Sequence, residues 1–461
     1  MKSEPDPQTQ YRFDTGHQVG DLAKSLFPGG TEIEHDARNY QGMIEQTEQL
    51  IGEGVSVIYE ASFREKGVLI MADILVRNGG AWEIYEVKAS TSVKPYHEHD
   101  AAIQWFVLNN QIPLRKICIV HIDTGYTFRS ELDVQQLFTI ADITKTVNDL
   151  QGGIEANLAS LAGMLAGKEP DIRIGQQCEN PYECDFKSHC WKQVPTPSVF
   201  DLYKLKGDRK FELFHQGMVS YEDVKSMSMN ATQSLQVKTG LSGKIHIDKY
   251  RIGEFLKSAT YPINFLDFET FNSAIPRYEG QRPYMQIPFQ YSLHILHEDG
   301  HLEHREFLAD ERQDPRPLLA EQLVTDITGT GSIVAFNQSF EKTVIRTLAS
   351  EFGQYEDILL NMIDRFIDLI TPFRGLMYYH PDFNGSFSIK SVFPAMFPEE
   401  GEPTYKNLEI QGGEVASGTF ANLVNVDDLA ERQKIRESLL AYCKLDTLAM
   451  VKIWRKLDTI T

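Results

Sequence analysis

The stretch Asn264 to Phe271, reading Asn-Phe-Leu-Asp-Phe-Glu-Thr-Phe, constrains this chain more than any other. It is an apolar run broken by two carboxylates, Asp267 and Glu269. Its Phe and Leu content and its entry from Tyr261-Pro262 predict a buried strand. Residues i and i+2 of a strand share one face, so the two acids stand side by side. Adjacent carboxylates repel, and burial raises the cost of keeping both ionised. A divalent cation removes that penalty, and hard oxygen ligands suit Mg²⁺ or Mn²⁺. A surface strand carrying two solvated acids would use the same letters, so the choice rests on the rest of the chain.

With 461 residues, two or three domains are expected, and 42% hydrophobic and 24% charged content are ordinary for a globular protein. The formal net charge of -20 argues against a general nucleic-acid coating protein, which would be basic. It leaves room for a nuclease, because metal sites concentrate Asp and Glu. No run of about 18 apolar residues occurs, so no membrane span is expected. Residues 1–10 form a polar tail without the apolar core of a signal peptide, which makes a cytoplasmic protein the expectation. The five cysteines are Cys118, Cys178, Cys184, Cys190 and Cys443, an odd number that argues against a disulfide framework.

Phe13 to Phe27 has helical periodicity, carries His17 and stops at Pro28-Gly29-Gly30. Val55–Phe63, Val68–Val76 and Ala81–Lys88 predict consecutive strands, the last two joined by a tight hairpin at Asn78-Gly79-Gly80. Asp73 falls in the second strand. Glu86 and Lys88 fall in the third, two apart and so on one face. A helix over His99–Asn109 carries Gln104, and Lys116–Ile122 is a buried strand in which Cys118 is a core residue. This Asp73…Glu86-Val87-Lys88 pattern resembles the core of the PD-(D/E)XK nucleases, where Glu-Lys alone would be an ordinary surface pair. Gly16-His17 through Leu22-Ala23 and Asp100-Ala-Ala-Ile-Gln104 resemble two further motifs of the RecB-like branch, although Leu108 stands where a Tyr is usual. The resemblance implies that Asp73, Glu86 and His17 hold a divalent ion, that the Val87 carbonyl adds a ligand, and that Lys88 places or helps deprotonate the attacking water, with Gln104 beside it.

Cys178, Cys184 and Cys190 follow at equal spacing in a loop with Pro and Asn, which suggests metal ligation in a reducing compartment. RecB-like nucleases often close with such a triplet around a 4Fe-4S cluster and take a fourth Cys from the extreme N-terminus. No Cys precedes Cys118 here, so the fourth ligand is missing, is replaced by a residue such as His189, or the site has been lost; zinc is the alternative metal.

Val194-Pro195-Thr196-Pro197 marks a boundary. Residues 198–260 read as amphipathic helices bridging two units. Beyond Tyr261, Pro288–Leu296 and Leu302–Leu308 extend the sheet, Leu318–Ile327 is helical, Ser332–Phe336 is a short strand, and Asn361–Leu369 reads as a helix bearing Asp364 and Asp368, both taken as structural. A terminal helix over about 429–457 places Tyr442 and Asp446 four apart on one face. Asp267-x-Glu269, then Asn337-x-x-Phe340-Glu341, then Tyr442-x-x-x-Asp446 resemble the three motifs of the DEDD exonucleases of the DnaQ-like, RNase H-related superfamily, in the tyrosine variant, except that Glu341 stands where Asp is usual. Ala274-Ile-Pro-Arg, Asn384-Gly-Ser-Phe-Ser-Ile-Lys and Tyr442-Cys-Lys-Leu-Asp-Thr-Leu-Ala-Met-Val resemble an uncharacterised bacterial family that fuses the two nuclease types.

The fold expected is therefore mixed α/β and multidomain. Residues 1–195 form a restriction-endonuclease-like core with its Cys triplet, 196–260 a helical linker, and 261–461 an RNase H-like exonuclease core with a mixed sheet. The resemblance implies two metal ions about 4 Å apart, with Asp267 between them, Glu269 and Asp446 each on one, Glu341 nearby and Tyr442 orienting the water. The partner expected is nucleic acid, DNA before RNA, with Lys390 on a phosphate and Tyr378 and Tyr379 free to stack on bases. The competing expectation is a catalytically degenerate binder of nucleic acid or a protein partner.

Overall fold

The structure is a computed structural model that describes residues 7–327, 329–398 and 405–461. It is a mixed α/β, multidomain chain. Residues 1–6 of the expected tail lie outside the described residues, and a helix, Pro7–Lys24, begins within the rest of it. No helix among the described residues is long and apolar enough to cross a membrane.

The chain divides into two compact units. The first comprises Pro5–Arg173 together with a later insertion, Asn272–Met285. It contains a six-stranded sheet in chain order: β1 (Thr31–Glu32), β2 (Val57–Glu65), β3 (Val68–Asn78), β4 (Ala81–Lys88), β5 (Leu114–Ile122) and β6 (Phe138–Asp142). The pairs β2–β3, β3–β4 and β5–β6 are antiparallel, whereas β1–β2 and β4–β5 are parallel. Gly79 takes a positive φ at the β3–β4 turn, a conformation that favours glycine. The parallel β4–β5 pair needs a crossover, and the helix Pro95–Asn109 supplies it. Its buried residues, Ala101, Ala102, Trp105, Val107 and Leu108, join Ile58, Leu75, Ile84 and Ile117 in one core, closed by the helix Thr144–Leu165 through Val147 and Ile154.

The second unit comprises Ile174–Phe271 and Gln286–Thr461. Its main sheet uses β8 (Ile263–Phe271), β9 (Ile287–Leu296), β10 (Leu302–Leu308), β11 (Ile333–Ala335) and β12 (Phe366–Asp368) in the order β10-β9-β8-β11-β12. The first three pair antiparallel, and β8, β11 and β12 pair parallel. β9 is buried along its whole length and β8 at every residue except Asp267, as central strands covered on both faces must be. Two short strands, β7 (His246–Ile247) and β13 (Tyr378–Tyr379), pair separately.

Two expectations change here. Asn361–Leu369 is not one helix: a helix, Glu356–Asp364, stops, and Phe366–Asp368 becomes the edge strand β12. Phe366 and Ile367 pair beside Ile333 and Val334, so sheet completion overrides the helical periodicity. Residues 198–260 do contain helices, Gly207–His215, Ala231–Ser242 and Lys249–Leu256 among them, but they pack within the second unit. β7 pairs with β13, and Gln236 donates to the Asp201 carbonyl at 2.8 Å and to the Tyr221 hydroxyl at 2.6 Å. The Cys-bearing stretch also belongs to this unit.

Candidate metal centre

β8 carries Asp267 and Glu269 on one face, opposite Ser292 and Gln290 of β9. The terminal helix, Leu429–Ile460, lies on the same strands. Its N-terminus is capped by Asp428, whose carboxylate accepts from the amides of Ala430 and Glu431. Its rotation and height are pinned by buried polar contacts. Gln290 Nε2 donates to the Leu439 carbonyl at 2.9 Å, and Thr447 Oγ1 lies 2.7 Å from Ser292 Oγ and 2.8 Å from His294 Nδ1. Tyr442, Cys443 and Asp446 are thereby turned onto the acidic face of β8. Cys443 Sγ sits 3.7 Å from Asp267 Oδ2, and ligand atoms of Asp267, Glu269 and Cys443 all lie within 4.8 Å of one another.

Glu341 reaches the cluster from the helix Ser339–Glu351, just beyond β11. The turn before that helix is held by Asn337, whose φ is +73 and whose amide donates to Asp368 Oδ1 at 2.9 Å. Asp368 thus keeps a structural task, now from the end of a strand. Glu341 is 4% exposed, and its Oε2 has no hydrogen-bond partner.

The electrostatics follow from burial and like charge. Burial, then Asp446, Glu269 and Glu341, push Asp267 well above the usual carboxylate range. Burial, then Asp446, raise Glu269 to about 8, against an opposing pull from Lys390. Burial alone is enough to raise Glu341 to about 8, with a smaller push from Asp368. Asp446 rises by burial only to about 6, because Tyr405, Lys390 and Tyr442 stabilise its charge. The Tyr405 hydroxyl donates to Asp446 Oδ1 at 2.5 Å. Lys390 donates to the Gln411 carbonyl at 2.9 Å and lies over the rings of Tyr405 and Tyr442 at 5.7 and 5.3 Å. A Cβ on Gly413 would come 3.3 Å from Glu269 Oε2, so the chain passes close to the cluster there.

Sequence reasoning placed Asp267, Glu269, Glu341, Tyr442 and Asp446, and the structure brings them together. It missed Tyr405 and Cys443. Cys443 was findable, since it lies three residues before Asp446 on the same helix face. Tyr405 sits in a short 3-10 turn, Tyr405–Asn407, with no local pattern to mark it.

In the first unit, Asp73 Oδ2 accepts from the Val87 amide at 2.6 Å. Lys88 Nζ bridges Glu86 Oε1 and Asp100 Oδ2, both at 2.8 Å. Burial pulls the Lys88 ammonium down, but Glu86 and Asp100 outweigh it and leave its pKa above the ordinary value. Gln104 hydrogen-bonds Glu86. Burial, then Glu86, hold Asp73 well above the carboxylate range. His17 is exposed on its helix, about 200° around the axis from the buried Val19. Cys178 is buried, Cys184 half-buried and Cys190 exposed, and their ligand atoms and those of His189 do not gather within 4.8 Å of one another.

A family model described as Domain of unknown function (DUF2779) matches residues 264–388. The match takes in Asp267, Glu269 and Glu341 and stops short of Lys390, Tyr442 and Asp446. The chain is also similar to uncharacterized protein UU173 of Ureaplasma parvum serovar 3, 26% identical over 233 residues, covering 46% of this chain and 33% of that protein. Uncharacterized protein MG366 of Mycoplasma genitalium is 27% identical over 210 residues, covering 41% of this chain and 31% of that protein. The chain therefore spans about a third of the length of the curated relatives it matches. No solved structure matches it.

Proposed function

We propose that this chain is a metal-dependent nuclease that hydrolyses phosphodiester bonds, with DNA as the first substrate to test. The observation that carries the reading is the convergence of Asp267, Glu269, Glu341 and Asp446 from three separate stretches onto one face, with Glu341 Oε2 left unpaired. Four acids that repel one another, Asp267 half-buried and the other three buried, with an orphaned oxygen among them, fit Mg²⁺ or Mn²⁺. Asp267, Glu269 and Asp446 would hold the ion or ions, which supply Lewis-acid stabilisation of charge on phosphate oxygens. Tyr442, in hydrogen-bond contact with Asp446, orients a water at the cluster, and Lys390 meets the anionic substrate. The order of the motifs and the mixed sheet support an exonuclease-type unit.

The first unit supports a second site of the PD-(D/E)XK kind. There Asp73 and Glu86 bind the ion, and Lys88, held cationic by two carboxylates, positions water or phosphate as a charge rather than removing a proton. One observation favours a degenerate binder instead: the Tyr405 hydroxyl occupies an Asp446 oxygen that a cation would use.

The test incubates end-labelled single-stranded DNA, double-stranded DNA and RNA with the full chain in Mg²⁺ or Mn²⁺, alongside Asp267→Ala and Lys88→Ala. Degradation that each substitution reduces in its own way supports the two-site reading. Degradation indifferent to both substitutions, or absent with every metal and substrate, rejects it.

A further inference from the structure

We propose that Glu60 is the third carboxylate of a divalent-cation site formed with Asp73 and Glu86, a role that no sequence motif marks. The inference rests on reading Asp73 and Glu86 as cation ligands and adds a residue to that reading.

Strand register carries the argument. Tyr59 pairs with Ile74 and Ala61 with Ala72, which sets Glu60 opposite Asp73. Ile74 pairs with Tyr85, which sets Asp73 opposite Glu86. Three carboxylates therefore form one row across β2, β3 and β4. Opposed like charges destabilise a sheet. The ladder opens at this row. Glu60 has no pairing partner and holds a φ of +59, a left-handed conformation that a long side chain seldom adopts, in the middle of a strand. Asp73 feels the charges of Glu86 and Glu60, and Glu60 feels that of Glu86.

Two buried atoms independent of that register point to a missing ligand. Glu86 is 5% exposed and its Oε2 has no partner; Gln104, also 5% exposed and bonded to Glu86, has an unpartnered Oε1. The nearby cations are already committed. Lys88 bridges Glu86 and Asp100, and Lys24 bridges Asp21 and Glu32 at 2.8 and 2.7 Å. The row keeps excess negative charge and presents only hard oxygen donors, the set that takes Mg²⁺ or Mn²⁺. Glu60 adds a carboxylate to the ligand set that the sequence resemblance completed with His17, which is exposed.

The experiment uses the full chain carrying Asp267→Asn and Asp446→Asn, which silences the cluster of the second unit. Mn²⁺ binding is followed by the paramagnetic resonance signal of the free ion. Adding Asp73→Asn or Glu60→Gln is expected to weaken Mn²⁺ binding by about tenfold or more. A Glu60→Gly variant, which accepts the positive φ without strain, is expected to melt no lower than the background and to bind just as weakly as Glu60→Gln. Unchanged affinity in the folded Glu60→Gln and Glu60→Gly chains, with binding lost in Asp73→Asn, overturns the Glu60 assignment and leaves the Asp73–Glu86 pair standing. Binding that is absent from the background, or indifferent to Asp73→Asn, overturns the pair and the proposal together.

Discussion

The two carboxylate clusters solve one electrostatic problem differently. In the first unit the acids sit on adjacent strands, and a lysine is already inside the cluster, bonded to Glu86 and Asp100. In the second unit the acids arrive from β8, a helix N-terminus and the terminal helix. The lysine beside them, Lys390, is exposed and bonded to a backbone carbonyl, and among the described residues no ion pair joins it to a carboxylate. One site is neutralised in part by its own chain, whereas the other keeps its acids without a lysine bonded to them. The lesson is that sensitivity to metal and to pH should be concentrated in the second unit.

The largest effect expected is on catalysis. On the proposed metal-dependent reading, Asp267→Ala should lower exonucleolytic degradation by roughly 10³-fold, since it would remove a ligand of an ion that would contribute several kcal/mol to charge stabilisation. Lys88→Ala should lower internal cleavage by about 10²-fold and leave end trimming intact, which sizing of the labelled products would show. If both substitutions abolish the same products, the comparison breaks.

A smaller effect concerns pH. Asp446 is raised to about 6, and Glu269 and Glu341 to about 8, each above the ordinary value of a free carboxylate. Acids raised in the folded state contribute fully below their unfolded pKa and lose that contribution as pH climbs through the folded one. The metal-free chain should therefore melt a few degrees lower at pH 8.5 than at pH 5.5. Mg²⁺ or Mn²⁺ should recover more of the melting temperature at the higher pH, and Glu269→Gln should flatten the trend. Scanning calorimetry with and without chelator checks this.

Smaller still, Tyr405→Phe should cost about 1–3 kcal/mol in the metal-free protein, because Asp446 loses a charge-assisted hydrogen bond. The same change frees the Asp446 oxygen, so Mn²⁺ affinity should hold or rise; a fall would sink the idea that Tyr405 competes with the ion. Thr447→Val should cost about 1–2 kcal/mol through its contacts to Ser292 and His294, read as a shift in denaturant midpoint.

Much of this architecture was legible in the sequence. The strands Ala81–Lys88 and Leu302–Leu308 were expected with the bounds observed, because Gly-rich turns punctuate them. Asp267, Glu269, Tyr442 and Asp446 were legible because period 2 and period 3.6 place acids on a face whatever the tertiary context. Residues 366–368 were not, since three residues become a strand only when a neighbouring strand is there to pair with them. Glu60 was not, because its meaning depends on cross-strand register, which a single segment does not contain. The exposure of His17 was not legible for a related reason: a helix sequence shows which side chains share a face, and packing decides which way that face points.

The insertion Asn272–Met285 bears on how the protein can be divided. It leaves directly from β8, the strand of the acidic cluster, and returns into β9, yet it belongs to the other unit. There Tyr284 donates to the Ala89 carbonyl at 2.6 Å, just past Lys88, and the Gln281 carbonyl accepts from the Phe128 amide at 2.9 Å. A scissor cut at Arg173 or Pro195 would not yield two whole halves. The amino-terminal fragment would be missing a piece of its own wall, and the carboxy-terminal fragment would carry that piece as a dangling loop. Ribosomal synthesis meets the same constraint, since the unit encoded first cannot be completed until a segment some hundred residues downstream of Arg173 has emerged.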